Sequence, residues 1–77
     1  MINIDALNEV FKMVFDNPHI QIAPETTADD IDEWDSLSHV LLLSAIEESF
    51  NIEFSQQEVM LFDCVGDMLD SVNRKLG

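Results

Sequence analysis

Positive charge is almost missing from this 77-residue sequence: Lys12, Arg74 and Lys75 stand against sixteen Asp and Glu, giving a net charge of -13. Such a surface repels nucleic-acid phosphates and anionic lipid headgroups, so no nucleic acid and no membrane is expected as a partner, and encounters are steered toward basic protein surfaces. Cysteine is reduced to Cys64 alone. That rules out an intramolecular disulfide and any CxxC metal spacing and suits a reducing compartment. Within Leu61-Phe62-Asp63-Cys64-Val65 the thiol reads as a small buried hydrophobe. No apolar run approaches the length of a membrane span, and no charged-then-apolar leader opens the sequence, so a soluble, cytoplasmic protein is expected. A chain of this size buries roughly 60 to 65% of its unfolded surface. That suffices for one domain, 1–77, but leaves little interior for a preformed catalytic cleft. With 47% hydrophobic residues the composition still predicts a folded core.

What is present is helical periodicity. Ile4, Leu7, Val10, Phe11, Val14 and Phe15 recur at spacings of three and four, the stripe of an amphipathic helix that Asn3 or Asp5 can cap and that Asp16-Asn17-Pro18 must end. From His19 to Glu33 the period is lost and Pro24, two threonines and a dense acidic run appear. This reads as a long surface connection pinned by Ile20, Ile22, Ile31 and Trp34, with one helical turn possible between Thr27 and Asp30. Asp35 is a good N-cap for a second helix over 36–50, closed by Asn51. Leu42, Leu43, Ile46 and Phe50 share its core arc, and Leu37, Val40 and Leu41 form a second apolar surface beside Ser36. Ser55 and Glu58 make a capping box for a brief helix ending near Leu61. Asp63 is the expected cap of a last helix, from about Cys64 to Leu76, that carries Val65, Met68, Leu69 and Val72 on one face. The fold class predicted is all-α: a small bundle of three main helices and one short one, with a long loop between helices one and two.

One hydroxyl stands out. Ser36, between Asp35 and Leu37, opens the most apolar helix, beside amides that have no partner within the helix and that favour an anion such as a phosphate. Two further chemistries are weaker. Ser36 and His39 are three apart and share a helix side, but a bundle this small offers no evident oxyanion hole. Asp29, Asp30, Asp32, Glu33 and Asp35 cluster, yet an EF-hand begun at Asp30 would have Asp35 at its glycine position and Leu41 at its closing glutamate. No metal site is expected.

Taken together, the order of elements, Asp35-Ser36-Leu37 at the start of helix two and the stretch Ala45-Ile46-Glu47-Glu48-Ser49-Phe50 resemble the acyl carrier proteins and the related peptidyl and aminoacyl carrier domains, over nearly the whole length. The resemblance implies that Ser36 carries a covalent 4'-phosphopantetheine from coenzyme A, with Asp35 and Leu37 as the flanking motif residues. The chain would then be no enzyme but a substrate of a phosphopantetheinyl transferase and of acyl- or aminoacyl-loading and processing enzymes. It further implies a partner surface at Val40, Leu41, Glu47 and Glu48 on a monomer. Ser38 and Leu41 stand where carriers of primary fatty-acid synthesis commonly have acids, and Glu33-Trp34 replaces a glycine-containing lead-in. These departures point away from primary fatty-acid synthesis, and the expectation is a free-standing carrier of a specialised pathway, such as polyketide, nonribosomal peptide, modified lipid or cell-envelope synthesis. The alternative is an acidic helical adaptor that binds a basic partner without a prosthetic group.

Overall fold

The computed structural model describes residues 2–77, and the described residues form four α-helices and no strand. Helix α1, Ile4–Phe15, starts where Asn3 takes an extended backbone and its side-chain oxygen accepts from the Ala6 N–H at 3.1 Å. Asn3, and not Asp5, is therefore the cap. The helix ends at Asp16, in the left-handed region at φ 50°, ψ 45°, from which Asn17 returns its N–H to the Lys12 carbonyl at 3.1 Å. Leu7, Val10 and Phe11 form its buried stripe.

The connection that follows is held by side chains on α1. Asn8 donates from Nδ2 to the Ile20 carbonyl at 3.1 Å and accepts from the Ile22 N–H at 2.8 Å, so one amide satisfies a loop backbone as a neighbouring strand would. Ile20 and Trp34 reach the core, 7% and 8% exposed, while Ile22 and Ile31 pack partly buried against it. Trp34 meets Phe11 edge to face at 5.3 Å, a favourable aromatic geometry. The expected turn after Thr27 is a short 3-10 segment, Ala28–Asp30, with the Asp30 carboxylate accepting from the Thr27 N–H at 2.9 Å.

Helix α2, Ser36–Phe50, packs on α1. Of its expected core arc, Leu42 and Ile46 are fully buried, whereas Leu43 and Phe50 lie at the edge of the core. Asn51 closes the helix in the left-handed region at φ 56°, and the Ile52 N–H returns to the Glu47 carbonyl at 3.0 Å. Helix α3, Gln56–Met60, carries the capping box: Glu58 N–H to Ser55 Oγ at 3.1 Å and Ser55 N–H to Glu58 Oε1 at 2.8 Å. It contributes no fully buried residue.

Helix α4, Val65–Leu76, supplies Val65, Met68 and Val72 to the core. Its cap corrects the expectation for Asp63. The extended N-cap is Cys64, at φ -149°, and no side chain caps it. The long loop does the work instead, since the Val65 and Gly66 N–H groups donate to the Thr26 and Pro24 carbonyls, each at 2.8 Å. With the first amides satisfied by another segment, Asp63 is left outside, and its own N–H donates to Asp67 Oδ2 at 2.9 Å. Cys64 is half-buried, short of the full burial expected for it. Burial of each large core side chain contributes about 1.5–3 kcal/mol. No helix among the described residues is long and apolar enough to cross a membrane.

Candidate functional site

The start of α2 is built from its cap outward. Asp35 adopts an extended backbone, φ -110° and ψ -172°, and its Oδ1 accepts from the Ser38 N–H at 2.8 Å. That amide is the largest influence holding the Asp35 carboxyl below its ordinary range, so the cap stays ionised at neutral pH. Ser36, the first helical residue, is exposed. Its hydroxyl sits where the helix presents amides lacking intrahelical acceptors and the positive end of the helix dipole.

Around it the apolar excess of α2 faces outward. Leu37, Val40 and Leu41 are 70%, 59% and 54% exposed, which places the three apolar residues flagged beside the serine on one open surface. Glu48 is exposed near the far end of the helix. Glu47 is different: half-buried, it accepts from the Phe54 N–H at 2.8 Å through Oε2. That carboxylate stitches α2 to the segment leading into α3, so Glu48 is the freer of the two acids.

Two contacts that sequence reasoning missed organise the lead-in. Ser38 Oγ donates to the Glu33 carbonyl at 2.9 Å, and Trp34 Nε1–H donates to His39 Nδ1 at 3.0 Å, the two rings stacked with centroids 5.9 Å apart. Each of the residues Glu33 and Trp34 is thereby tied to one residue in the first turn of α2. The only signal in the sequence was the pairing of an unusual lead-in with an unusual first turn; a carboxylate at position 38 could not donate to a carbonyl. His39 and Ser36 line an open hollow together with Ala28, Trp34 and Asp35.

This arrangement can present one hydroxyl at a helix tip, next to an exposed apolar surface. Since Nδ1 of His39 is occupied by Trp34, that nitrogen is committed away from the role of a base toward Ser36.

No family model matches the sequence. The chain is 37% identical over 57 residues to the acyl carrier protein of Thermosynechococcus vestitus, an alignment spanning 73% of this chain and 69% of that protein. Its fold superposes on the solution structure of the holo acyl carrier protein from Geobacter metallireducens with a TM-score of 0.93 and 43% identity, covering 99% of this chain and 87% of that one. With the same helical order, the exposed serine at the head of α2 and sequence identity at this level to both proteins, the chain belongs to the acyl carrier protein family.

Proposed function

We propose that Ser36 is the attachment point of a 4'-phosphopantetheine arm and that the protein carries acyl or aminoacyl intermediates through one specialised biosynthetic pathway. The observation that carries this reading is the exposed Ser36 at the first position of α2, in a chain so similar to a holo acyl carrier protein. The residues fit the group: the hydroxyl is accessible, the positive end of the helix dipole behind it suits a phosphodiester, and Trp34 and Ala28 give the hollow beside it apolar lining. When bound, such an arm supplies a terminal thiol on which the cargo is held as a thioester.

The rest is done by the chain itself. Asp35, held by the Ser38 amide, fixes the start of α2 and hence the exit direction of anything on Ser36. Leu37 follows as a fully presented apolar contact. Val40 and Leu41, with Glu48 and the outer oxygen of Glu47, form the surface offered to a phosphopantetheinyl transferase and to loading and processing enzymes. Tethering then raises the effective concentration of the intermediate at whichever enzyme is docked. Leu41 and Ser38, standing where acids are common in fatty-acid carriers, support partners selected by shape more than by charge. We read the chain as a single carrier domain working as a monomer in the cytoplasm.

Intact-mass analysis tests the reading. Wild-type protein incubated with coenzyme A, magnesium and a broad-specificity phosphopantetheinyl transferase should gain one arm, and Ser36→Ala should gain none. An unmodified wild type across several transferases would favour the adaptor without a prosthetic group.

A further inference from the structure

The Trp34–His39 pair fixes the protonation of the imidazole. An indole N–H only donates, so His39 Nδ1, its acceptor at 3.0 Å, carries no proton, and the neutral ring must hold its hydrogen on Nε2. His39 lies one helical turn beyond Ser36, and helical side chains lean toward the N-terminus, which brings residues three apart together; both line the same hollow. The remaining walls offer nothing comparable. Ala28 has no polar side chain, the ionised Asp35 only accepts, the Trp34 donor is taken by His39, and the Ser36 hydroxyl would be consumed by modification. Of the side-chain cations, Lys12 pairs with Glu9 and Lys75 with Glu58, and Arg74 lines a separate hollow with Glu58 and Asp67. Among the residues that line the hollow beside Ser36, one free side-chain donor is left, the Nε2–H of His39.

Resting on the attachment reading above, we propose that His39 donates this Nε2–H to the phosphodiester of an arm carried on Ser36, with Trp34 as the positioning residue that holds the ring in the required tautomer. A neutral donor is suited to the place. Asp35, the cap of the same helix, and Asp63 with Cys64 from the connection between α3 and α4 line the hollows that the imidazole also lines, together with the apolar Phe62 and Met68. Burial keeps His39 below its ordinary pKa, so in the unmodified protein the ring is uncharged at neutral pH and its tautomer is set by the indole. An added phosphodiester anion stabilises the imidazolium and moves that titration upward.

The test is nitrogen and phosphorus NMR on the full chain, unmodified and modified, with the mass of each sample verified. In the unmodified form His39 should show the Nε2–H tautomer. In the modified form its pKa should rise by roughly half to one pH unit, the effect of one anion near a partly solvated ring, and the phosphodiester resonance should follow the His39 titration. Trp34→Phe, with its helical content checked by circular dichroism, should mix the two tautomers and weaken that coupling. His39→Gln, which keeps an N–H donor, should hold the phosphorus resonance closer to wild type than His39→Ala does. A modified protein in which neither the His39 titration nor the phosphorus resonance responds would overturn this inference alone. An unchanged mass after treatment with the transferase would overturn the attachment and this inference together.

Discussion

Ser71 donates its hydroxyl to Glu58 Oε2 across 2.6 Å, and this bond fastens α3 to α4. Glu58 Oε1 accepts from Lys75 Nζ at 2.7 Å and from the Ser55 N–H at 2.8 Å. One carboxylate thus caps its own five-residue helix and anchors it to the bundle. Because α3 buries no side chain completely, these polar contacts carry much of its attachment.

The first expectation follows from the charge on Glu58. Lys75, then Ser71, then the Ser55 amide pull its pKa from an ordinary 4.5 to about 2. A carboxyl depressed on folding stabilises the native state fully above its unfolded pKa. That contribution fades as pH falls from 4.5 toward about 2. Glu58→Gln should melt below wild type at neutral pH, and the difference should shrink on acidification through this window. Thermal melts by circular dichroism across a pH series would show a constant difference if the carboxylate were unimportant.

Gly66 tests the junction between the loop and α4. A Cβ placed there would stand 3.0 Å from the Pro24 carbonyl oxygen, the same oxygen that accepts the Gly66 N–H at 2.8 Å. Backbone cannot retreat as a flexible side chain can. Gly66→Ala should therefore destabilise by about 1–3 kcal/mol, despite alanine's higher helix propensity, as read from the midpoint of urea unfolding. A stabilised variant would show that the loop yields without loss.

Asp16 occupies a left-handed conformation, φ 50° and ψ 45°, at the C-terminal end of α1. Both its backbone and its negative charge are unfavourable there, the latter through the helix dipole. Asp16→Gly should raise stability by about 1 kcal/mol, and Asp16→Asn should recover only the part due to charge. Denaturant melts at low and high salt separate the two contributions, since only the second is screened.

For docking, the exposed Leu41 sets the expectation. If partners are recognised mainly by apolar fit, Leu41→Glu should weaken binding of a cognate loading enzyme by about tenfold or more, in line with the loss of a well-packed apolar contact, while added salt changes wild-type affinity only modestly. Calorimetry with a cognate enzyme measures both. Strong salt dependence together with indifference to Leu41→Glu would contradict a carrier specialised in this way.

What the sequence made legible was local. The caps Asn3, Asp35 and Ser55 act on amides three residues away, a reach that a linear pattern contains, and the apolar stripes of α1 and α4 fall at the helical period. Contacts between distant segments were out of reach. Nothing near Asn8 announces that its amide will hold Ile20 and Ile22. Nothing near Asp63 warns that carbonyls of Pro24 and Thr26 will cap α4 in its place. At the site, Ser36 and the apolar residues around it were readable because they sit in one turn. The tie from Trp34 to His39 was missed even though five residues separate them, because it joins a loop without a period to a helix and its geometry depends on the bend between them.

The outward-facing stripe of Leu37, Val40 and Leu41 also has a colloidal consequence. Two copies of this protein carry the same apolar surface, and hydrophobic contact alone would favour their adhesion. Mutual repulsion between bodies of net charge -13 opposes it at neutral pH. Acid or concentrated salt removes that barrier without altering the stripe, so the second virial coefficient measured by light scattering should turn from positive to negative as the acids are neutralised, and Leu41→Glu should delay the crossing.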